Sequence, residues 1–201
     1  MTTAYDGEGG PLRTETLDVS GTPPVPFSRI LTVEMRKMAD TRAGKWLMIT
    51  IVAITLLVVA LLLVFAHGET LRFTDFLGFT ASPQGVLLPV LGVLLVTSEW
   101  GQRAALTTFT LVPHRERIIA GKLAAAVLFG LAAIAVAIVL AAFAALVHGT
   151  PDPWHGVGLD DVGKFGLLQT IGILQGLAFG MLFLNSAAAI VTYFVLPIGF
   201  S

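Results

Sequence analysis

The chain alternates short polar, charged stretches with long apolar runs that carry no charge: Trp46 to Ala66, Phe76 to Ser98, Leu123 to Val147 and Phe165 to Ser201. A charged side chain at the centre of a bilayer costs about 2.5–3.5 kcal/mol even on a lenient scale, and a helix needs about 20 apolar residues to cross. The runs therefore predict spanning helices. The first covers about 46–66, with Arg42, Lys45 and Trp46 as an interfacial anchor. Phe73 to Gly85 reads as a short polar connection, and Pro83 suits the first turn of a second span over about 83–104, kinked at Pro89. Pro113 separates that span from a third over about 114–147. The last run is too long for one crossing and nearly enough for two. Its one adjacent polar pair, Asn185 and Ser186, divides it into spans over about 165–184 and 186–201. The second piece falls short of the roughly 30 Å hydrocarbon core, so we expect the natural molecule to continue into a sixth span.

Ahead of the spans, residues 1–26 are rich in Gly and Pro and poor in large apolar side chains, which reads as a disordered tail with no secretory signal. From Phe27 to Asp40 the pattern changes to one with a helical period. At about 100° per residue, Phe27, Ile30, Leu31, Met35 and Met38 share a side, and Ser28, Arg29, Thr32, Arg36 and Asp40 lie opposite. This segment is too short to span and too charged to be buried. It predicts an amphipathic helix in the membrane interface, within a connecting element over 27–45 that also holds Lys37. Glu34 breaks the pattern by sitting inside the apolar stripe. A carboxylate there needs either water at the interface or a base on a neighbouring element, Arg103 being the first choice.

Composition agrees with this segmentation. Hydrophobic residues make up 55% and charged residues 12% of the 201, with a mean hydropathy of +0.85; soluble domains carry about 25% charge. A net charge of −1 gives no footprint for nucleic acid. The absence of cysteine removes disulfides, thiolate metal sites and a cysteine nucleophile. Basic residues set the orientation: Arg29, Arg36, Lys37, Arg42 and Lys45 precede the first span and Arg103, Arg115, Arg117 and Lys122 lie between the second and third, whereas Arg72 and Lys164 fall on the other side. The expectation is an all-α, polytopic plasma-membrane protein with about five spans and a cytoplasmic N-terminus.

Candidate chemistry is sparse. There is no glycine-rich phosphate loop with lysine, no two-histidine helical zinc pair and no GxSxG elbow. His148, Asp152, His155, Asp160 and Asp161 carry ligand-type side chains on the outer loop, a composition that an ordinary solvated loop shares. We expect no catalytic, cofactor or metal residues. Gly172, Gly176 and Gly180 recur every fourth residue on one helical face with Gln169, which suits close helix packing inside the subunit, a subunit interface or the lining of a pathway. The membrane interior is expected to contain no ionisable residue, since the charges of the second and third spans lie at their ends, and this disfavours a proton- or ion-coupled carrier.

The run FSRILTVEMRKMADTRAGKW before one long span, followed by SEWGQRAALTTFTLVPHRERIIAGKLAA, resembles the permease subunit of ATP-binding-cassette exporters of the second type, particularly actinobacterial ones. The resemblance covers about Phe27 to Ser201. It implies six spans, a connecting helix at Phe27 to Asp40 and a cytoplasmic coupling segment over about 99–117, in which Glu99, Arg103, Pro113, Arg115 and Arg117 would meet the ATPase. It also implies a second permease subunit, identical or different, and separate ATPase subunits that hydrolyse the ATP. Besides those partners and membrane lipid, the chain is expected to need no cofactor and to be no enzyme itself. The competing reading is a non-transporting membrane scaffold or regulatory subunit.

Overall fold

Hydrocarbon offers a backbone no hydrogen-bond partner, so apolar runs of this length close their hydrogen bonds internally, as helices. The computed structural model of the chain describes residues 25–66, 68–101 and 115–199, and among these residues all regular structure is α-helical. The helices are α1 (Phe27–Asp40), α2 (Arg42–Phe65), α3 (Phe73–Gly101), α4 (Arg115–His148), α5 (Leu159–Phe183) and α6 (Ser186–Gly199). Four of them, α2 to α5, are long and apolar enough to cross a membrane; α6 is a shorter apolar helix.

Several boundaries differ from the sequence expectation, each for a local reason. The second crossing starts at Phe73 instead of Pro83. The Asp75 carboxylate accepts the Arg72 backbone N–H at 2.8 Å, and the Phe73 N–H reaches the Pro153 carbonyl at 3.1 Å. Two groups that a helix start leaves unpaired are thus satisfied. Pro83 then lies inside α3, where the hydrogen bond it cannot donate is offset by burial of Leu77, Thr80 and Gln84 on either side. The connecting element over 27–45 is not continuous either. Thr41 is extended between α1 and α2, and its hydroxyl accepts the Gly44 N–H at 3.2 Å as the cap of α2. Helix α5 starts at Leu159 instead of Phe165, because the Asp161 carboxylate takes the Gly158 N–H at 3.1 Å and Asp160 pairs with Lys164 at 2.8 Å. At its far end, Leu184 turns left-handed (φ 51°) and the Asn185 side chain accepts the Ala188 N–H to start α6. Phe179 and Tyr193 meet edge to face at 5.5 Å, so α6 doubles back along α5.

Helix α3 is the hub and packs against α2, α4, α5 and α6. Its closest neighbour is α5, which runs parallel to it. Gln169 donates to the Ala81 carbonyl at 3.1 Å, and the glycine face of α5 follows Pro89 and Val93. Helix α4 contributes a line of small buried residues, Ala125, Ala126, Ala133, Ala137, Ala141 and Ala144, which lets it lie close to its neighbours. Helix α2 is peripheral, burying only Gly44, Ile51, Thr55 and Val59 and turning Leu56, Leu57 and Leu61 outward.

Two apolar clusters fill the bundle. One is centred on Leu88, Leu91, Phe129 and Ile173 at the α1 end, and the other on Phe73, Phe76, Ile134 and Phe165 at the opposite end. Buried polar side chains lie where they meet: Gln84 donates to the Ala133 carbonyl at 3.1 Å and to the Thr55 hydroxyl at 3.5 Å. At the opposite end the loop after α4 folds over the start of α3. His148 bonds the Glu69 carbonyl at 2.9 Å, Thr150 donates to the Leu71 carbonyl at 2.8 Å, and the Phe73 and Trp154 rings meet at 5.3 Å.

Candidate functional site

The buried line of α1 consists of Ile30, Glu34 and Met38, spaced at the i, i+4, i+8 interval that keeps side chains on one face. Phe27 and Met35, expected on the same stripe, lie at its margins, Phe27 being exposed. The carboxylate that broke the sequence pattern therefore sits at the centre of the docked face. Glu34 retains 3% of its exposure, and both its oxygens are occupied. Lys122 of α4 donates to Oε2 at 2.7 Å and Lys37 donates to Oε1 at 2.9 Å. Of the two environments open to Glu34, water or a base on a neighbouring element, the chain adopts the second.

Backbone geometry brings these groups together. Gly121, next to Lys122, faces α1 so closely that a Cβ there would lie 2.8 Å from Ile30 Cγ2 and 3.7 Å from Glu34 Cγ. Without that glycine α1 would be held away from α4 and the Lys122 ammonium would lose its short contact. The other end of α1 is fixed as tightly. Thr41 donates from its hydroxyl to the Met38 carbonyl at 3.2 Å, and Gly44 lies against that same carbonyl, where any side chain would collide. Helix α1 is thus joined rigidly to α2 at one end and clamped to α4 along its length. The chemistry of the arrangement is that of a fastening: separating α1 from the start of α4 would take apart a buried ion pair, which is costly.

The remaining candidate residues are placed as follows. Arg36 is exposed on the outer side of α1, and Lys37 is half-buried beside Glu34. Arg117 is half-buried in the first turn of α4. Glu99 and Arg115 belong to the end of α3 and the start of α4, whereas Arg103 and Pro113 lie outside the described residues. The glycine face of α5 is filled by α3 of the same chain. Gly176 lies against the Pro89 carbonyl, where a Cβ could not fit, and a Cβ on Gly180 would stand 3.0 Å from the Val93 carbonyl. Gly172 has ordinary room, 3.5 Å to Pro89 Cγ. The outer-loop side chains serve separate local roles: His155 pairs with Asp152 at 3.1 Å, Asp160 with Lys164, and Asp161 caps α5. Among the described residues no group of three or more His, Cys, Asp or Glu could hold a metal.

Sequence reasoning did not assign Lys122 as the partner of Glu34, nor Gly121 and Gly92 as contact points. Gly92 answers the α5 glycines from α3, lying against the Ile173 carbonyl and leaving a Cβ 2.8 Å from the Leu177 nitrogen. A signal for Lys122 did exist. It is the last charge before an uncharged run, and a base at that position needs an anion. Comparison of the chain with family models, with characterised proteins and with solved structures yields no match.

Proposed function

We propose that the chain is the transmembrane permease subunit of an ATP-binding-cassette exporter, carrying a substrate across the plasma membrane with energy from a separate ATPase subunit. The observation that supports this reading is the buried Glu34–Lys122 pair between α1 and α4. A machine that converts nucleotide-driven motion into altered access through a bundle needs a rigid element at the bundle's edge, fastened to a helix that runs through it. Helix α1, cornered onto α2 at Thr41 and clamped to α4 at Lys122, has that construction. In this reading the α1 end is cytoplasmic and α1 lies in the interface as the connecting helix. Residues 99–117 form the surface that the ATPase grips through Glu99, Arg103, Arg115 and Arg117, with Pro113 fixing the turn. A fifth crossing begins with α6, and a second permease subunit, identical or different, completes the path.

The test is purification of the tagged full chain from its native membrane in mild detergent, followed by assay of the eluate for vanadate-sensitive ATP hydrolysis. The reading expects hydrolysis to co-purify and to be lost with Arg115→Glu/Arg117→Glu, while the yield of the chain is unchanged. A chain that emerges in good yield with no hydrolysing partner would leave the exporter reading without support and favour a non-transporting scaffold.

A further inference from the structure

Between α2 and α4, with α3 as its floor, lies an apolar crevice of about 190 Å³ lined by Met48, Ile51, Val52, Leu91, Phe129 and Ala133. Val52 on one rim and Ala132 on the other are exposed, so the crevice opens sideways, towards the hydrocarbon that surrounds a spanning bundle. Its relation to charge is set by helical register. Lys45, Met48 and Val52 follow one another at i, i+3 and i+7, so Lys45 stands on the crevice side of α2, about one turn nearer the α1 end. Arg42 lies one further turn out. Both cations are exposed, and neither makes an ion pair within the described residues. Trp46 beside them, 67% exposed, marks the depth at which headgroups meet hydrocarbon. On the other wall, Lys122, Phe129 and Ala133 share a face of α4 at i, i+7 and i+11, so the crevice starts just inside the Glu34–Lys122 clamp.

We propose that this crevice holds an acyl chain of an anionic phospholipid, whose headgroup phosphate is bound by Lys45 and Arg42. The apolar walls select a hydrocarbon chain, and the two exposed cations at the α1 end select a negative headgroup over a zwitterionic one. A chain lodged there braces α2 against α4 next to the point where α1 fastens to both, so anionic lipid stiffens the clamp. Lipid binding does not require the ATPase, so this inference and the exporter reading stand or fall separately.

The experiment is native mass spectrometry of the full chain in detergent, titrated with palmitoyl-oleoyl phosphatidylglycerol or phosphatidylcholine. Each basic residue near a headgroup favours an anionic lipid by about fivefold, so the phosphatidylglycerol adduct should form at a severalfold lower lipid concentration. Lys45→Ala/Arg42→Ala should bring the two lipids near parity. Ala132→Phe, a rim substitution that enters the crevice without disturbing buried side chains, should remove the phosphatidylglycerol adduct, and Val52→Phe on the opposite rim should do the same. Equal retention of the two lipids by the unmodified chain, an adduct that survives both rim substitutions, or displacement of the adduct by excess inorganic phosphate would each overturn the proposal.

Discussion

Lys122 Nζ lies 2.7 Å from Glu34 Oε2, and this contact, made across 88 positions of the sequence, ties the first helix to the start of α4. Both side chains are almost fully buried. Two charges taken out of water in this way are poor evidence of stability in themselves, since well-packed apolar residues often do as well. Such a pair does fix one arrangement: α1 cannot slide along or rotate against α4 without drawing the Lys122 ammonium away from the buried Glu34 carboxylate.

Removing both members should therefore cost less than the two single removals added together. Lys122→Met and Glu34→Gln should each destabilise the protein by about 3 kcal/mol, whereas the double substitution should cost less than their sum by about 1–3 kcal/mol. Lys37→Met, at a half-exposed position, should cost less than about 1 kcal/mol. Denaturant titration in mixed micelles reads all four; strictly additive single and double costs would show that the contact carries no coupling.

The three glycines of α5 should respond unequally although the sequence presents them alike. Gly176→Ala forces a Cβ into the Pro89 backbone, which cannot retreat as a side chain can, and should lower the yield of folded protein severely. Gly180→Ala, at 3.0 Å from the Val93 carbonyl, should fall between. Gly172→Ala meets only ordinary contact at Pro89 Cγ and should melt within about 0.5 kcal/mol of the unmodified chain. Thermal unfolding of the three in one detergent decides whether the order holds.

What could be read in the sequence follows from how far each signal reaches. Uninterrupted apolar runs announce crossings because the penalty for a buried charge acts locally, and α2 to α5 all contain such runs. The break after Phe183 falls beside Asn185 and Ser186, the polar pair visible in that stretch. Helix starts were less legible, because caps are made by single residues whose partner is chosen by the fold. Asp75 and Asp161 each take a backbone N–H three positions back, which turned apparent connections into the first turns of α3 and α5. Glu34 was visible as a misplaced carboxylate and Lys122 as the last charge before an uncharged run, yet nothing in the sequence decides which base the carboxylate meets. That choice depends on the closeness of two helices at Gly121, a tertiary fact.

Gln84 offers a contrast between lost hydrogen bonding and lost volume. Its amide nitrogen donates to the Ala133 carbonyl at 3.1 Å, but its buried oxygen has no partner. Gln84→Met keeps the volume and removes an unpaired acceptor together with the bond to Ala133 and the longer one to Thr55, so stability should change by less than about 1 kcal/mol. Gln84→Ala opens a cavity where the two apolar clusters meet and should cost about 2–4 kcal/mol. If the methionine variant proved as unstable as the alanine one, the amide bond rather than packing would be what holds α3 to α4.

Orientation can be tested directly because the chain contains no cysteine, so any single introduced thiol is an unambiguous reporter. Arg36 is exposed on α1, and Asp152 is exposed in the loop at the opposite end of the bundle. Basic residues concentrate at the α1 end, where Arg29, Arg36, Lys37, Arg42, Lys45, Arg117 and Lys122 lie, while Arg72 and Lys164 flank the other end. Such a bias retains the richer end on the cytoplasmic side during insertion. Asp152→Cys should therefore react with a membrane-impermeant maleimide in intact cells, and Arg36→Cys only after permeabilisation. The inverted pattern would put α1, its clamp and the neighbouring basic segment on the external face, out of reach of ATP and of any ATPase, and the exporter reading would fail even though every packing contact described above remained intact.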